Sequence, residues 1–296
     1  MNNFFTHSLE VFSQLQPSIL SPRTVSGKKH HITNLLNYLE SQGIQNFNDF
    51  DIGRVYEFIT SLPYASQTIS NMQFAIREYF NLMFESGLSS FDGRQVFPVI
   101  FTNKRDRIIS YYQDEEVRNL INAIDISQPD GIRDKCMVLL AAQTGLRAGD
   151  ITHLTFDEIV WDKNLISKKQ HKTSLPVVVP FPENVKLLLV DYIKNYRPDS
   201  RDRYVFICPD TRQCYCDSEL YYIANKYFRR AEISIGNRRH GPHALRHSLA
   251  SNLLKNNTPM PVITGILGHK DLNTTSKYLS IDIESLRLCC LEVPYA

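Results

Sequence analysis

The stretch HGPHALRHSLASNLLKNNTPMPVITGILGHKDLNTTSKYLS runs from His240 to Ser280 and decides how the chain is read. His243 and Arg246 stand three residues apart, a spacing that puts them on one helix face. Gly241 and Pro242 precede them, and proline is favoured at a first helical position. The pair is therefore expected in a first turn, where free backbone N–H groups also attract anions. Gly268 closes the next helical run, and His269 follows it. Asn273-Thr274-Thr275 reads as a further helix start, with Tyr278 just beyond.

This set of side chains suits one chemistry. Arginine carries a planar, permanent charge whose fork matches phosphate oxygens. Two imidazoles can donate hydrogen bonds to the same group. A tyrosine hydroxyl can form a covalent intermediate. Together they fit attack of a tyrosine on a phosphodiester, with positive donors stabilising the crowded transition state. Such a reaction requires no metal ion and no cofactor. A lone His-x-x-Arg is common on solvated helices and a lone Tyr is usually packing, so the signal lies in the ordered set.

Composition alone does not suggest a nucleic-acid partner. The 296 residues, enough for two domains with separate cores, are 43% hydrophobic and 22% charged, with a net charge of only +2. Residues 1–106 hold 8 Lys and Arg against 9 Asp and Glu, so any positive face must come from local clustering. No long apolar run is present, and the expected location is cytoplasmic, with reduced thiols. Cys208, Cys214 and Cys216 lack a Cys-x-x-Cys pair and an evident fourth ligand, which argues against structural zinc.

Periodicity divides the chain. Over the first hundred residues apolar side chains recur at helical spacing, as in Ile32, Leu35, Leu36 and Leu39 after Ser21-Pro22. A third helix is expected after a cap at Asn48 or Asp49, and a fourth from Ser66 to Gly87. Residues 88–110 lose the period and carry Gly93, Pro98 and Lys104-Arg105-Asp106-Arg107. Helices return from about Tyr112. Short alternating runs follow at Glu158–Trp161, Leu165–Ser167, Leu175–Pro180 and Tyr204–Ile207. The fold class is mainly α with a small antiparallel β-sheet.

The ordered motifs resemble the tyrosine recombinase (phage integrase) family: His243-Ala-Leu-Arg246-His247, Leu267-Gly268-His269 and Thr274-Thr275-Ser276-Lys277-Tyr278. Thr144-Gly145-Leu146-Arg147-Ala148-Gly149-Asp150-Ile151 resembles that family's segment around its first catalytic arginine. Asp150 stands where glutamate is common. The resemblance implies a helical core-binding, SAM-like DNA-binding domain over 1–97, a linker over 98–110, and an α+β catalytic domain over 111–296 with a C-terminal tail. It implies Arg147, Lys172, His243, Arg246, His269 and Tyr278 as catalytic residues. Lys172 is the best match on the turn before the last strand. Lys168 and Lys169 stay open, because hairpin register cannot be read from sequence. Lys28, Lys29, His30, His31 and Arg77 are candidate phosphate contacts, as is the run Arg229, Arg230, Arg238, Arg239 and His240.

The implied function is a site-specific DNA recombinase working through a 3′-phosphotyrosyl intermediate, as a homotetramer on two double-stranded DNA sites of a mobile or chromosomal element. A type IB-like topoisomerase and a non-catalytic DNA-binding regulator are the alternatives. The tail, with Glu284, Leu286, Leu288, Cys289 and Cys290, is expected to dock on a neighbouring protomer. Deleting residues 284–296 should spare binding to one site and weaken pairing of two sites in a native gel. Undiminished pairing would instead place the tail against its own domain.

Overall fold

The computed structural model describes residues 1–16, 20–49, 51–96, 110–128, 130–269, 272–276, 278 and 279. The chain divides into two compact units, Met1–Lys104 and Arg105–Ala296. Of the expected linker only Ser110 lies within the described residues, and the tail from 284 lies outside them.

The first unit is helical. α1 (Asn3–Gln14) starts where the Asn2 side chain accepts the Phe5 N–H at 2.8 Å. α2 (Pro22–Ser41) places Pro22 in its first turn behind the Ser21 cap. The cap expected at Asn48 or Asp49 lies elsewhere. Buried Phe47 anchors a 3₁₀ turn over Phe47–Asp49, and Asp51 caps α3 (Ile52–Ser61) by accepting the Gly53 N–H. α4 (Ser66–Glu85) and the single turn α5 (Gly93–Val96) complete the unit. Its core holds Phe5, Phe12, Leu35, Leu36, Phe47, Tyr79 and Phe80. Lys28, a candidate phosphate contact, instead pairs with Glu78 at 2.6 Å and lies over the Phe74 ring.

The second unit is built around α7 (Gly131–Thr144). Eleven of its fourteen residues are buried, the pattern of a helix covered on all sides. α6 (Asp114–Asn122) and α8 (Ala148–Thr152) flank it in sequence. β1 (Ile159–Val160), β2 (Leu165–Lys169) and β3 (Pro176–Pro180) form an antiparallel sheet in chain order, with Ile166 opposite Val179 and Lys168 opposite Val177. α9 (Glu183–Asp191) runs into a π-helical turn over Tyr192–Tyr196. α10 (Glu219–Arg230), α11 (Pro242–Lys255), α12 (Met260–Leu267) and the short α13 (Leu272–Ser276) follow. Among the described residues no helix is long and apolar enough to cross a membrane.

The strand expected over Tyr204–Ile207 is not formed. Tyr204 bridges to Thr155, whereas Ile207 bridges to Cys214. Each end has a different partner, so no ladder can extend between them.

One buried carboxylate ties α7 to α10. Asp134 is fully buried and accepts from Arg133 at 2.6 Å, from the Tyr227 hydroxyl at 2.8 Å and from Lys226 at 3.1 Å. Removing it leaves buried donors, and above all the Arg133 charge, without this partner. Asp134→Ala should therefore cost about 3–5 kcal/mol in urea unfolding, with the catalytic motifs untouched in sequence. A loss under about 1 kcal/mol, the range of an exposed pair, would show that solvent reaches this cluster.

Candidate active site

Two glycines shape the floor of the site. Gly145 ends α7 and Gly268 ends α12, both in the left-handed conformation with φ of 65° and 55°. A Cβ on Gly145 would stand 2.9 Å from the Leu249 side chain. The turn therefore brings the end of α7 against α11. The carbonyls left at these helix ends need donors. Arg246, in the second turn of α11, supplies them: its guanidinium donates to Gly145 O and to Leu267 O, each at 2.5 Å. Arg246 is 4% exposed.

Arg147 stands at the residue before α8 and is half-buried. Its guanidinium donates to the Gln170 side-chain oxygen. The described hydrogen bonds of both arginines thus go to neutral groups. Burial pulls the Arg147 pKa down. It pulls Arg246 further, to about 10, with the nearby Arg147 charge as the second cause. An anion placed here would relieve both effects.

Tyr278 is fully buried against Ala250, Leu254, Ile263 and Leu267. Burial raises its pKa to about 12, opposed by Arg246 and Arg147. Its hydroxyl lies 2.7 Å from His247 Nδ1. His269 Nδ1 lies 2.7 Å from the Thr275 hydroxyl, which also accepts from Thr264 at 2.9 Å. His269 therefore braces the segment that leads to Tyr278. His243 sits exposed in the first turn of α11, with its ring centroid 6.5 Å from that of His247. Asn273-Thr274-Thr275 lies inside α13 rather than at its start.

The β2–β3 hairpin separates the three lysines. Strand alternation puts Lys168 on the face of buried Ile166, and its ammonium donates to Asp150 O at 2.7 Å and Glu158 at 3.2 Å. Lys168 is thus consumed inside the unit. Lys169 is exposed at the end of β2, and Lys172 is exposed on the turn. Asp150 is 1% exposed and accepts the His171 N–H at 2.7 Å. The Asp150 carboxylate thus pins the hairpin, while Gln170 takes the hydrogen bond of Arg147.

Sequence reasoning did not select Gln170, and left His247 unassigned beside Arg246. The alternation that carries Ile166 and Lys168 inward also carries Gln170 inward, two residues on. That signal could have found it. The basic run before α11 is partly consumed: Arg238 pairs with Glu116 at 2.7 Å and covers the Tyr112 ring at 4.1 Å.

The model of the phage integrase family matches residues 111–284. The chain belongs to the phage integrase family. The chain is 26% identical over 270 residues to tyrosine recombinase XerA of Thermococcus kodakarensis, covering 89% of each chain. It is 32% identical over 181 residues to y4rF of Sinorhizobium fredii, named as a candidate integrase/recombinase, and spans 42% of that protein. In structure the chain resembles XerH recombinase bound to a palindromic difH substrate. The TM-score is 0.73 at 15% identity, over 97% of this chain and 93% of that one. A lambda integrase dimer bound to a core site gives 0.70 at 14% identity, over 92% and 94%. These structural likenesses support the mainly α fold with its small antiparallel sheet, and the family match with the tyrosine recombinase relatives supports an enzyme of the tyrosine recombinase class.

Proposed function

We propose that the protein is a site-specific recombinase that cuts and rejoins double-stranded DNA, with Tyr278 as nucleophile. The observation that carries this is the convergence of the buried Tyr278 hydroxyl with two arginines whose described hydrogen bonds go to neutral groups. The match to DNA-bound recombinases supports DNA as the partner.

In this reading the Tyr278 oxygen bonds to phosphorus and the bond to the 5′-oxygen breaks. The products are a 3′-phosphotyrosyl link and a free 5′-hydroxyl. A phenol is protonated at neutral pH even at its ordinary pKa, and burial raises this one further, so its proton leaves during attack. His247 Nδ1, 2.7 Å from the hydroxyl, receives it in this reading, in the tautomer that leaves that nitrogen bare. Arg147 and Arg246, with His243 and His269, hold the non-bridging oxygens. Lys172 on the hairpin turn protonates the leaving oxygen. A second 5′-hydroxyl reverses the step, and bond energy stays in the phosphotyrosine. Exchange between two duplexes uses four copies of the chain. Residues 1–97 supply further DNA contacts, and residues 98–110 join them to the catalytic domain.

Tyr278→Phe removes one hydroxyl. It should bind DNA and form no covalent adduct on a nicked suicide substrate, read on a denaturing gel. An adduct in the variant would move the nucleophile, with exposed Tyr221 and Tyr222 next in line.

Lys172 separates two kinds of help. Loss of a donor to a charged oxygen typically costs about 10²–10³ in rate, and loss of a general acid about 10²–10⁴. A 5′-thiolate is far less basic than an alkoxide and leaves without a proton. Lys172→Ala should cleave ordinary DNA slowly and recover most of its rate on a 5′-bridging phosphorothiolate, whereas Arg246→Ala should not. If Lys172→Ala stays slow on sulfur, the lysine is a phosphate contact. If Lys169→Ala is rescued instead, the acid lies at the strand end.

A further inference from the structure

Gln170 stands one residue past β2 and is 1% exposed. Both ends of its amide are occupied. The oxygen accepts from Arg147 Nη1 and from the Thr173 hydroxyl at 2.7 Å. The nitrogen donates to Leu267 O at 3.2 Å. That carbonyl is the one to which Arg246 donates at 2.5 Å. Gln170 also uses its backbone, donating to Leu175 O and accepting from the Ser174 N–H, both at 2.9 Å. One buried residue therefore touches three segments: the turn before α8, the hairpin turn next to Lys172, and the end of α12 before His269.

The chemistry of the position is narrow. The group must accept from a guanidinium at one end and donate to a carbonyl at the other. A carboxamide does both at every pH, with no charge to gain or lose. A glutamate would accept from Arg147, but would set a carboxylate oxygen against Leu267 O. It would also hold part of the Arg147 charge in an ion pair. A neutral acceptor orients the fork and leaves the charge available. Space is reserved for it: a Cβ on Gly268 would lie 2.2 Å from the Gln170 nitrogen.

We propose that Gln170 is a positioning residue: it aims the Arg147 guanidinium at a non-bridging phosphate oxygen without neutralising it. The inference rests on the reading that Arg147 binds the scissile phosphate. A misplacement of about 1 Å in such a group can cost about 10²-fold in rate.

The test uses the full chain and a nicked duplex built on the junction sequences that flank the gene. The scissile group is either phosphodiester or methylphosphonate. On phosphodiester, Gln170→Ala and Gln170→Glu should both cleave about 10²-fold more slowly in single turnover, with duplex binding unchanged. Methylphosphonate carries no charge on its phosphoryl group, so a precisely aimed cation matters less. The variants should then approach the wild-type rate, as should Arg147→Ala. Equal slowing of Gln170→Ala on both substrates would make the role merely structural and overturn the proposal. So would a normal rate for Gln170→Glu on phosphodiester, since the charge on Arg147 would then not matter. An independent reading needs no DNA. In ¹⁵N spectra of the free protein, with Arg147→Lys as the assignment control, Gln170→Ala should speed rotation of the Arg147 guanidinium. Unchanged rotation would also overturn the proposal. Failure of wild type to cleave any junction would strike the recombinase reading instead, while the rotation measurement still decides whether Gln170 holds Arg147.

Discussion

The Arg246 guanidinium closes two helix ends at once. A helix C-terminus presents unpaired carbonyls and a partial negative charge, and here α7 and α12 end facing the same side chain. Arg246 donates to Gly145 O and Leu267 O from a position that is 4% exposed. A buried charge is tolerated only where hydrogen bonds replace water, and these two carbonyls do that. The left-handed turns at Gly145 and Gly268 follow, because they end the two helices where the carbonyls can be reached. A guanidinium has five N–H donors. Two of them are used here.

The same constraint explains the electrostatics. Arg246 sits near Arg147, and each loses solvation, so both pKa values fall. The nearby Asp150 carboxylate opposes this fall at both arginines, but burial outweighs it. One Asp150 oxygen also accepts the His171 N–H in the hairpin. The neutral Gln170 amide holds Arg147 in its place. The site thus keeps an excess of positive charge around a phenol whose own pKa burial raises to about 12.

The hairpin shows how a small sheet selects among equivalent residues. Lys168 and Lys172 are both turn-proximal lysines in the sequence. Pairing of Lys168 with Val177 sends its side chain to the Ile166 face, where Asp150 O and Glu158 receive it. Lys172 lies past the ladder and stays exposed. A shift of one residue in register would exchange the faces of the whole strand.

Local chemistry along the chain was enough for the helical class, for Pro242 at a helix start, and for Gly145 and Gly268 at helix ends. Arg147, His243, Arg246, His269 and Tyr278 are singled out by the resemblance of their ordered motifs to a family, whereas the helix signals are local, because propensity and capping act over a few residues. The cap of α3 and the absent strand at Tyr204–Ile207 were misread for the same reason: each depends on a partner elsewhere, buried Phe47 in one case and two separate bridges in the other. The bond from Gln170 to Arg147 spans 23 positions, that from Arg246 to Gly145 spans 101, and that from His247 to Tyr278 spans 31. No periodicity encodes such pairs. They arise when packing around α7 brings helix ends and hairpin together, and burial then leaves each polar atom only the partners that surround it.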